Sequence, residues 1–316
     1  MTDTRTLSVF TLTDLVEVTP VLLGFPPVES LVAVACRAGS VALVARIDLP
    51  AGAPESMLAQ LRPMWLNNPD CTFLLLVFSE DANLAWSALG AMDAALPPHT
   101  LRLCVHADGT RWHATPGDEG LPYDARHGRL CLEAAVEGVP VLGSRDELYE
   151  LIAPVLSEAE TDAAIERVFD RYPTSRSLIH GALALLERAD AGALVVDADV
   201  AAALCMATRY RAFVHPALLS TTRTNAGARR DLWAAVVRQV CPCCAGVPLA
   251  GLGLASWVLG QGAMLVVCLD LMRQVDADPL WSEFLEAVNV RAVHPGDWAG
   301  IAAGGLAAIE RHRGAA

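Results

Sequence analysis

Residues 239–269 contain no charged residue. This stretch limits the possible folds of the chain more than any other feature of the sequence. A helix that spans a bilayer needs about 20 consecutive apolar residues, so the stretch is long enough to cross a membrane. However, a Gly-Gln-Gly sequence at residues 260–262 divides it into pieces that are each too short to cross. Two prolines interrupt the upstream piece. The sequence therefore predicts a helical hairpin buried inside a globular protein.

The first half of the chain alternates between short apolar runs of strand length and helical patterns. Gly39-Ser40 joins two of the runs closely, which indicates a β-hairpin and therefore a mixed sheet. Asp108-Gly109 marks a second tight turn between strands. This order predicts an α/β domain with helices packed on the sheet. The predicted elements are helices at 13–17, 54–65 and 81–96, strands at 31–36, 41–48, 71–78, 101–105 and 111–114, an apolar turn at 21–27 and a long polar loop at 116–130.

Strand patterns nearly vanish in the second half, where helical patterns follow one another. Ser144 has Glu147 three residues later, which predicts a capped helix start, and a domain boundary falls near residue 155. The predicted fold class is therefore an N-terminal mixed-sheet α/β domain, residues 1–155, followed by an all-helical C-terminal domain, residues 156–316. The predicted helices span 157–171, 175–189, 198–213, 229–240, 249–259, 262–274, 279–290 and 297–311.

The charged residues exclude several classes of function. All 23 basic side chains are arginine, so a lysine Schiff base and the standard nucleotide-binding loop, which needs a lysine, are impossible. The net charge of −13 repels phosphate backbones and anionic lipids, which argues against nucleic acid and membrane partners. Acidic residues and Pro20 interrupt the N-terminus where an export signal would be continuous and apolar. We therefore expect a soluble, cytoplasmic protein.

The nine cysteines are odd in number and mostly lie in apolar runs, which predicts reduced, core-filling thiols rather than a disulfide framework. Residues 241–244 read Cys-Pro-Cys-Cys, the densest reactive group in the chain. A zinc site would need a fourth ligand, for which Cys205, His215 and Cys268 are candidates. None of them forms a second closely spaced pair. We therefore predict a turn between helices, with no metal and no cofactor, and keep metal binding and a redox role as alternatives.

A candidate ligand site lies at the first strand pair. Ser30 begins one predicted strand, and Arg46 and Asp48 close the next. Because side chains alternate along a strand, Arg46 and Asp48 share a face, where they form an ion pair or present a fork to an anion. Ligands gather at strand ends in open α/β sheets, and the alternative is an ion pair on an edge strand. Arg145 completes the predicted ligand-binding set.

The sequence resembles the actinobacterial family called domain of unknown function 4192. The resemblance rests on residues 19–32, on Arg46-Ile-Asp-Leu-Pro at 46–50 and on residues 143–148. It continues at 255–263, 278–279, Pro295 and Trp298. Many relatives carry a Cys-Cys-Pro group before a Glu-Gly in the middle loop, where this chain has residues 115–120 without cysteine. The resemblance implies an intracellular bacterial protein and supplies no activity.

Usual catalytic motifs, such as Gly-x-Ser-x-Gly and His-Glu-x-x-His, are absent from the sequence. The leading hypothesis is therefore a non-catalytic small-ligand-binding or regulatory protein. A small anionic ligand would bind at Ser30, Arg46, Asp48 and Arg145, and the helical part would bind a protein partner. The alternatives are an enzyme, a hydrolase or transferase acting on a small anionic metabolite in the same pocket, and a helical scaffold protein.

Overall fold

A computed structural model describes residues 8–49, 54–98, 100–139, 141–275 and 277–305 of the chain. The chain divides into two compact units. The first unit comprises Met1–Glu147 with Val290–Ala292, and the second comprises Leu148–Asn289 with Val293–Ala316. The domain boundary near residue 155 stays a prediction, because compactness does not show that either unit folds alone.

A six-stranded mixed sheet organises the first unit, in the order β2-β1-β3-β4-β5-β6. β1 pairs antiparallel with both β2 and β3, whereas β3 and β4 are parallel and joined through α3. The predicted mixed-sheet α/β fold is therefore confirmed. The elements are α1 (Leu12–Leu23), β1 (Ser30–Arg37), β2 (Ser40–Asp48), α2 (Pro54–Leu66), β3 (Thr72–Phe78), α3 (Ala82–Ala95), β4 (Leu101–Ala107), β5 (Arg111–His113), β6 (Leu121–Pro122), α4 (Arg129–Val136) and α5 (Asp146–Leu151, shared between the units).

The central strand β1 is buried on both faces, which explains its continuous apolar run. On one face, Leu31 belongs to a core with buried residues of α2 and α3. On the other face, Val32 belongs to a core with Val16 of α1. Residues 290–292 complete the first unit, because the side-chain amides of Asn67 and Asn68 donate to the carbonyls of Arg291 and Ala292.

Two predictions for the first unit were wrong. The helix expected to end before Pro20 continues to Leu23, because a Thr11–Asp14 capping box fixes its start and its buried face packs on the sheet. It ends at Gly24, whose φ of +86° suits glycine. The long loop expected at 116–130 contains β6 and the start of α4.

The second unit is built from helices, as the sequence predicted. The expected helix at 198–213 is two helices, broken at residues 208–210, where the Thr208 hydroxyl donates to the Cys205 carbonyl oxygen. Of the helix expected at 297–311, residues 298–305 are helical, and residues 306–311 lie outside the described part of the chain. The other helices are α6 (Glu158–Arg171), α7 (Ser175–Asp190), α8 (Ala198–Ala207), α9 (Arg211–Leu219), α10 (Ala226–Arg238), α11 (Gly246–Val258), α12 (Gly262–Met272) and α13 (Pro279–Val290).

The uncharged stretch forms α11 and α12, which the chain connects at Gly260. The φ of Gly260 is +80°, and its N–H donates to the Trp257 carbonyl, so a glycine is required to end α11 here. Almost every residue of α11 is buried within the unit. In the part of the chain that the structure describes, every helix is too short or too polar to cross a bilayer.

Candidate functional site

Four strand ends lie side by side at one edge of the sheet. Ser30 is opposite Asp48 of β2 on one side and opposite Phe78 of β3 on the other. Phe78 in turn is opposite Ala107 of β4. The carboxyl ends of the parallel strands β3 and β4 therefore meet the start of β1 and the end of β2, at the kind of edge where α/β proteins bind ligands.

Arg46 and Asp48 form the ion pair that strand alternation predicts. The distance between Arg46 Nη2 and Asp48 Oδ1 is 2.7 Å, and the same Nη2 donates to the Val28 carbonyl at 3.4 Å. The guanidinium carbon lies 5.7 Å from the centroid of the buried Phe25 ring. The Arg46 side chain is 15% exposed and that of Asp48 is 70% exposed. Arg46 Nε is buried and has no hydrogen-bond partner among the described residues.

Ser30 lies next to the Arg46–Asp48 pair, but its hydroxyl is hydrogen-bonded to a nearby backbone carbonyl. Ser30 is fully buried, and its Oγ donates to the Val28 carbonyl at 2.6 Å. Arg145 precedes α5 on a segment that is hydrogen-bonded to the Phe25 turn, since the Leu142 N–H donates to the Gly24 carbonyl at 2.8 Å. The structure therefore groups Ser30, Arg46 and Asp48, whereas the Leu142–Gly24 hydrogen bond connects the segment before Arg145 to the end of α1.

A second polar group at the same edge was missed by the sequence analysis. Ser79 Oγ donates to Glu29 Oε2 at 2.9 Å, and the Ser79 carbonyl lies 2.8 Å from His106 Nε2. Ser79 and His106 are both buried, and the His106 ring packs edge-on against Trp86. Polar residues directly after a buried strand were the available signal for Ser79. The contact with Glu29 depends on the β1–β3 pairing, which the sequence does not specify.

The Cys-Pro-Cys-Cys turn of the second unit places three cysteine sulfur atoms close together. Cys241 and Cys243 are joined by a disulfide, so the expectation that all thiols are reduced was wrong for this pair. The pair lies within a turn that brings its Cα atoms to 5.5 Å, a usual disulfide spacing. The Sγ atoms of Cys243 and Cys244 are 3.8 Å apart.

Cys205 of α8 is the thiol that contacts this turn. Its Sγ donates to the Cys244 carbonyl at 3.2 Å. A side-chain hydrogen bond between the Cys205 and Cys244 thiols, assisted by the positive charge of Arg209, lowers the pKa of Cys244 below its usual value. The same bond, together with burial, raises the pKa of Cys205. Cys244 is therefore the more acidic thiol of this pair.

The chain matches one protein family, described as a domain of unknown function (DUF4192), over residues 13–295. The match covers most of the chain and contains the three N-terminal motifs on which the resemblance rests. The chain belongs to the DUF4192 family. No curated protein and no solved structure matches it.

A histidine clamped by two carboxylates lies beside the strand ends of this DUF4192 protein. His113 Nδ1 is 2.8 Å from Asp118 Oδ1, and its Nε2 is 3.2 Å from Asp108 Oδ2. Burial alone would lower the pKa of His113, but hydrogen bonds to Asp108 and Asp118 raise it above 6.5. A backbone hydrogen bond from Thr115, with others, lowers the pKa of Asp118 to about 2. The two carboxylates therefore favour the protonated form of His113.

This clamp predicts a pH dependence of local stability around β5. Because the pKa of His113 is raised in the folded state, its contribution to stability is fully present below pH 6.5. This contribution is lost as the pH rises through the folded-state pKa. Hydrogen exchange of residues 108–120, corrected for the intrinsic rate, should become faster as the pH rises above 6.5 and through the folded-state pKa of His113. In His113→Asn the exchange should be fast throughout this range.

His127→Asn is the matched control, because His127 pairs with Asp124 at the surface, with side chains 74% and 56% exposed. This substitution should leave the pH dependence of residues 108–120 unchanged. Equal pH profiles for the wild type and His113→Asn would contradict the clamp.

Proposed function

We propose that this DUF4192 protein is a non-catalytic regulatory protein that binds a small anionic ligand through Arg46. The carboxylate of Asp48 occupies the position of the ligand's anionic group in the free protein. The observation that carries the proposal is the asymmetry of the ion pair, because Arg46 is mostly buried and held by its neighbours, whereas Asp48 is 70% exposed.

Exchange of Asp48 for a ligand carboxylate costs little. Asp48 is 70% exposed, so water readily solvates its carboxylate when a ligand carboxylate replaces it at Arg46. Arg46 stays in place, since the Phe25 ring supports its guanidinium face and the Val28 carbonyl accepts from Nη2. A planar guanidinium fixed in this way offers its donors to a carboxylate or phosphate in one orientation.

The surrounding charges favour ligands of low charge. Asp48 and Glu29 both lie at this sheet edge, and the whole chain carries a net charge of −13. Repulsion from these carboxylates opposes a polyanion more strongly than a monoanion. A small monocarboxylate is therefore the ligand class that we propose.

The arrangement of the nearby serine hydroxyls supports binding rather than catalysis. Ser30 Oγ donates to a backbone carbonyl and Ser79 Oγ donates to Glu29, while His106 contacts the carbonyl of Ser79 and not its hydroxyl. A nucleophilic serine requires a base on its hydroxyl and access to substrate, but Ser79 is only 4% exposed. The same contacts therefore give the hydrolase alternative little support.

A pair of opposite substitutions tests the proposal by calorimetric titration with monocarboxylates and inorganic phosphate. Arg46→Gln should weaken binding at least about tenfold, because a charge-assisted hydrogen bond contributes about 1.5–3 kcal/mol. Asp48→Asn should strengthen binding about two- to fivefold, because it removes the internal competitor.

Arg37→Gln is the control, since Arg37 lies at the other end of the same hairpin, opposite Ser40. It should bind like the wild type. Weaker binding by Asp48→Asn, or unchanged binding by Arg46→Gln, would refute the site. Turnover of a bound compound, followed by NMR, would favour the enzyme alternative.

Three expectations from the sequence stay predictions. They are the bacterial source, the cytoplasmic location and the protein partner of the helical unit. Exposed apolar side chains of that unit, such as Phe169 and Val195, are compatible with a partner, but single apolar residues are normal on any protein surface.

A further inference from the structure

Three sulfur atoms of the Cys-Pro-Cys-Cys turn lie as close together as the ligands of a metal site. The Sγ atoms of Cys241, Cys243 and Cys244 all lie within 4.8 Å of one another. Those of Cys243 and Cys244 are 3.8 Å apart. Zinc–sulfur bonds of about 2.3 Å in a tetrahedron separate neighbouring sulfurs by about 3.8 Å. Three of the four positions of a tetrahedral site are thus present on one turn.

The structure selects one of the three residues that could supply the fourth ligand. Cys205 Sγ lies 3.2 Å from the Cys244 carbonyl oxygen, so its thiol already contacts the turn. Cys268 lies against Gly253 in the packed interior of α11 and α12, and burial strongly raises the pKa of its thiol. His215 packs beside Trp281. We propose that Cys205, Cys241, Cys243 and Cys244, when reduced, bind one zinc ion.

The surroundings of the turn suit a negatively charged metal–thiolate centre that exchanges with solvent. Cys205 and Cys241 are buried, Cys244 is half-buried and Cys243 is exposed, so an ion reaches the site from one side. The 13-residue helix α11 begins just after Cys244, and no side chain caps its N-terminus. Its positive end therefore favours negative charge at the turn.

Metal binding is linked to the state of the disulfide. The Cys241–Cys243 bond leaves only Cys205 and Cys244 as thiols at the turn, too few for a structural zinc site. A thiol reductant first converts this disulfide into two thiols and is itself oxidised to a disulfide. The four thiols then lose four protons as one zinc ion binds, which leaves a centre with a net charge of −2. The turn is thus a zinc site only in a reducing environment.

Zinc titration of the reduced full-length chain tests the proposal. The protein is treated with a phosphine reductant, which does not bind zinc strongly, and is titrated with Zn²⁺ against a chromophoric chelator. Native mass spectrometry gives the stoichiometry. We expect one zinc ion per chain. Cys205→Ser and Cys244→Ser should each weaken binding at least about tenfold, since even loss of an outer-shell partner costs that much.

Cys36→Ser is the matched control, because Cys36 is a half-buried free thiol in the first unit. It should bind zinc like the wild type. Circular dichroism checks that each variant is folded. Cys244 is half-buried and lies on a turn, so Cys244→Ser still tests the site if Cys205→Ser does not fold. A reduced wild type that binds no zinc, or a folded Cys205→Ser or Cys244→Ser that binds as tightly as the wild type, would overturn the four-thiol site.

Discussion

Gly251→Ala should lower the free energy of unfolding by about 3 kcal/mol, the upper part of the range for overpacked cores. Gly251 lies in the middle of α11, and a Cβ atom there would be 2.7 Å from Cε2 and Nε1 of the Trp233 ring. Trp233 is fully buried on α10, so its ring has no free space into which to move. The two helices must separate to accept one methyl group. Urea denaturation measures the effect as a lower midpoint at an unchanged m value.

Gly227→Ala is the matched control, with an expected effect of the opposite sign. Gly227 lies in the first turn of α10, and a Cβ atom there would meet nothing within 4 Å. Alanine has a higher helix propensity than glycine by about 1 kcal/mol, so this variant should be slightly more stable than the wild type. Equal destabilisation by both substitutions would show that close packing at Trp233 is not the cause.

Asp190→Ala should destabilise the helical unit by about 3 kcal/mol, because it leaves a buried guanidinium without its counterion. Asp190 ends α7 and accepts two hydrogen bonds from Arg229 of α10, at 2.6 Å from Nε and at 2.8 Å from Nη2. The Arg229 side chain is only 4% exposed. The loss is measured as the change in the free energy of unfolding in urea.

Asp231→Ala removes a carboxylate from the next arginine along the same helix and is the control. Arg230 and Asp231 form a surface pair whose side chains are 35% and 69% exposed. Such pairs contribute about 0–1 kcal/mol, so this variant should differ little from the wild type. If Asp190→Ala cost no more than Asp231→Ala, Arg229 would not depend on Asp190 for its burial.

The sequence predicts those parts of the fold that depend on neighbouring residues. The hairpin of β1 and β2 follows from two apolar runs and one glycine turn, and alternation along β2 is enough to pair Arg46 with Asp48. The end of α1 was predicted wrongly, because a proline inside a helix costs about 3 kcal/mol and therefore indicates a helix end. In the structure, tertiary packing of α1 outweighs this cost, and such packing cannot be read from the sequence.

Features that depend on distant pairing could not be predicted. The Ser79–Glu29 hydrogen bond joins residues 50 positions apart and requires β3 to lie next to β1. The sequence likewise left three candidates for the fourth ligand of a zinc site at the Cys-Pro-Cys-Cys turn. The choice of Cys205 depends on the position of α8 beside a turn 39 residues later in the chain.

The first unit is assembled from two separated pieces of sequence, and this affects when it is completed during synthesis. Residues 290–292 accept hydrogen bonds from the amides of Asn67 and Asn68, and Asn68 is almost fully buried. On the ribosome, the N-terminal sheet emerges long before these three residues are translated. The loop between α2 and β3 therefore gains these carbonyl partners only after residues 148–289 of the helical unit have been translated.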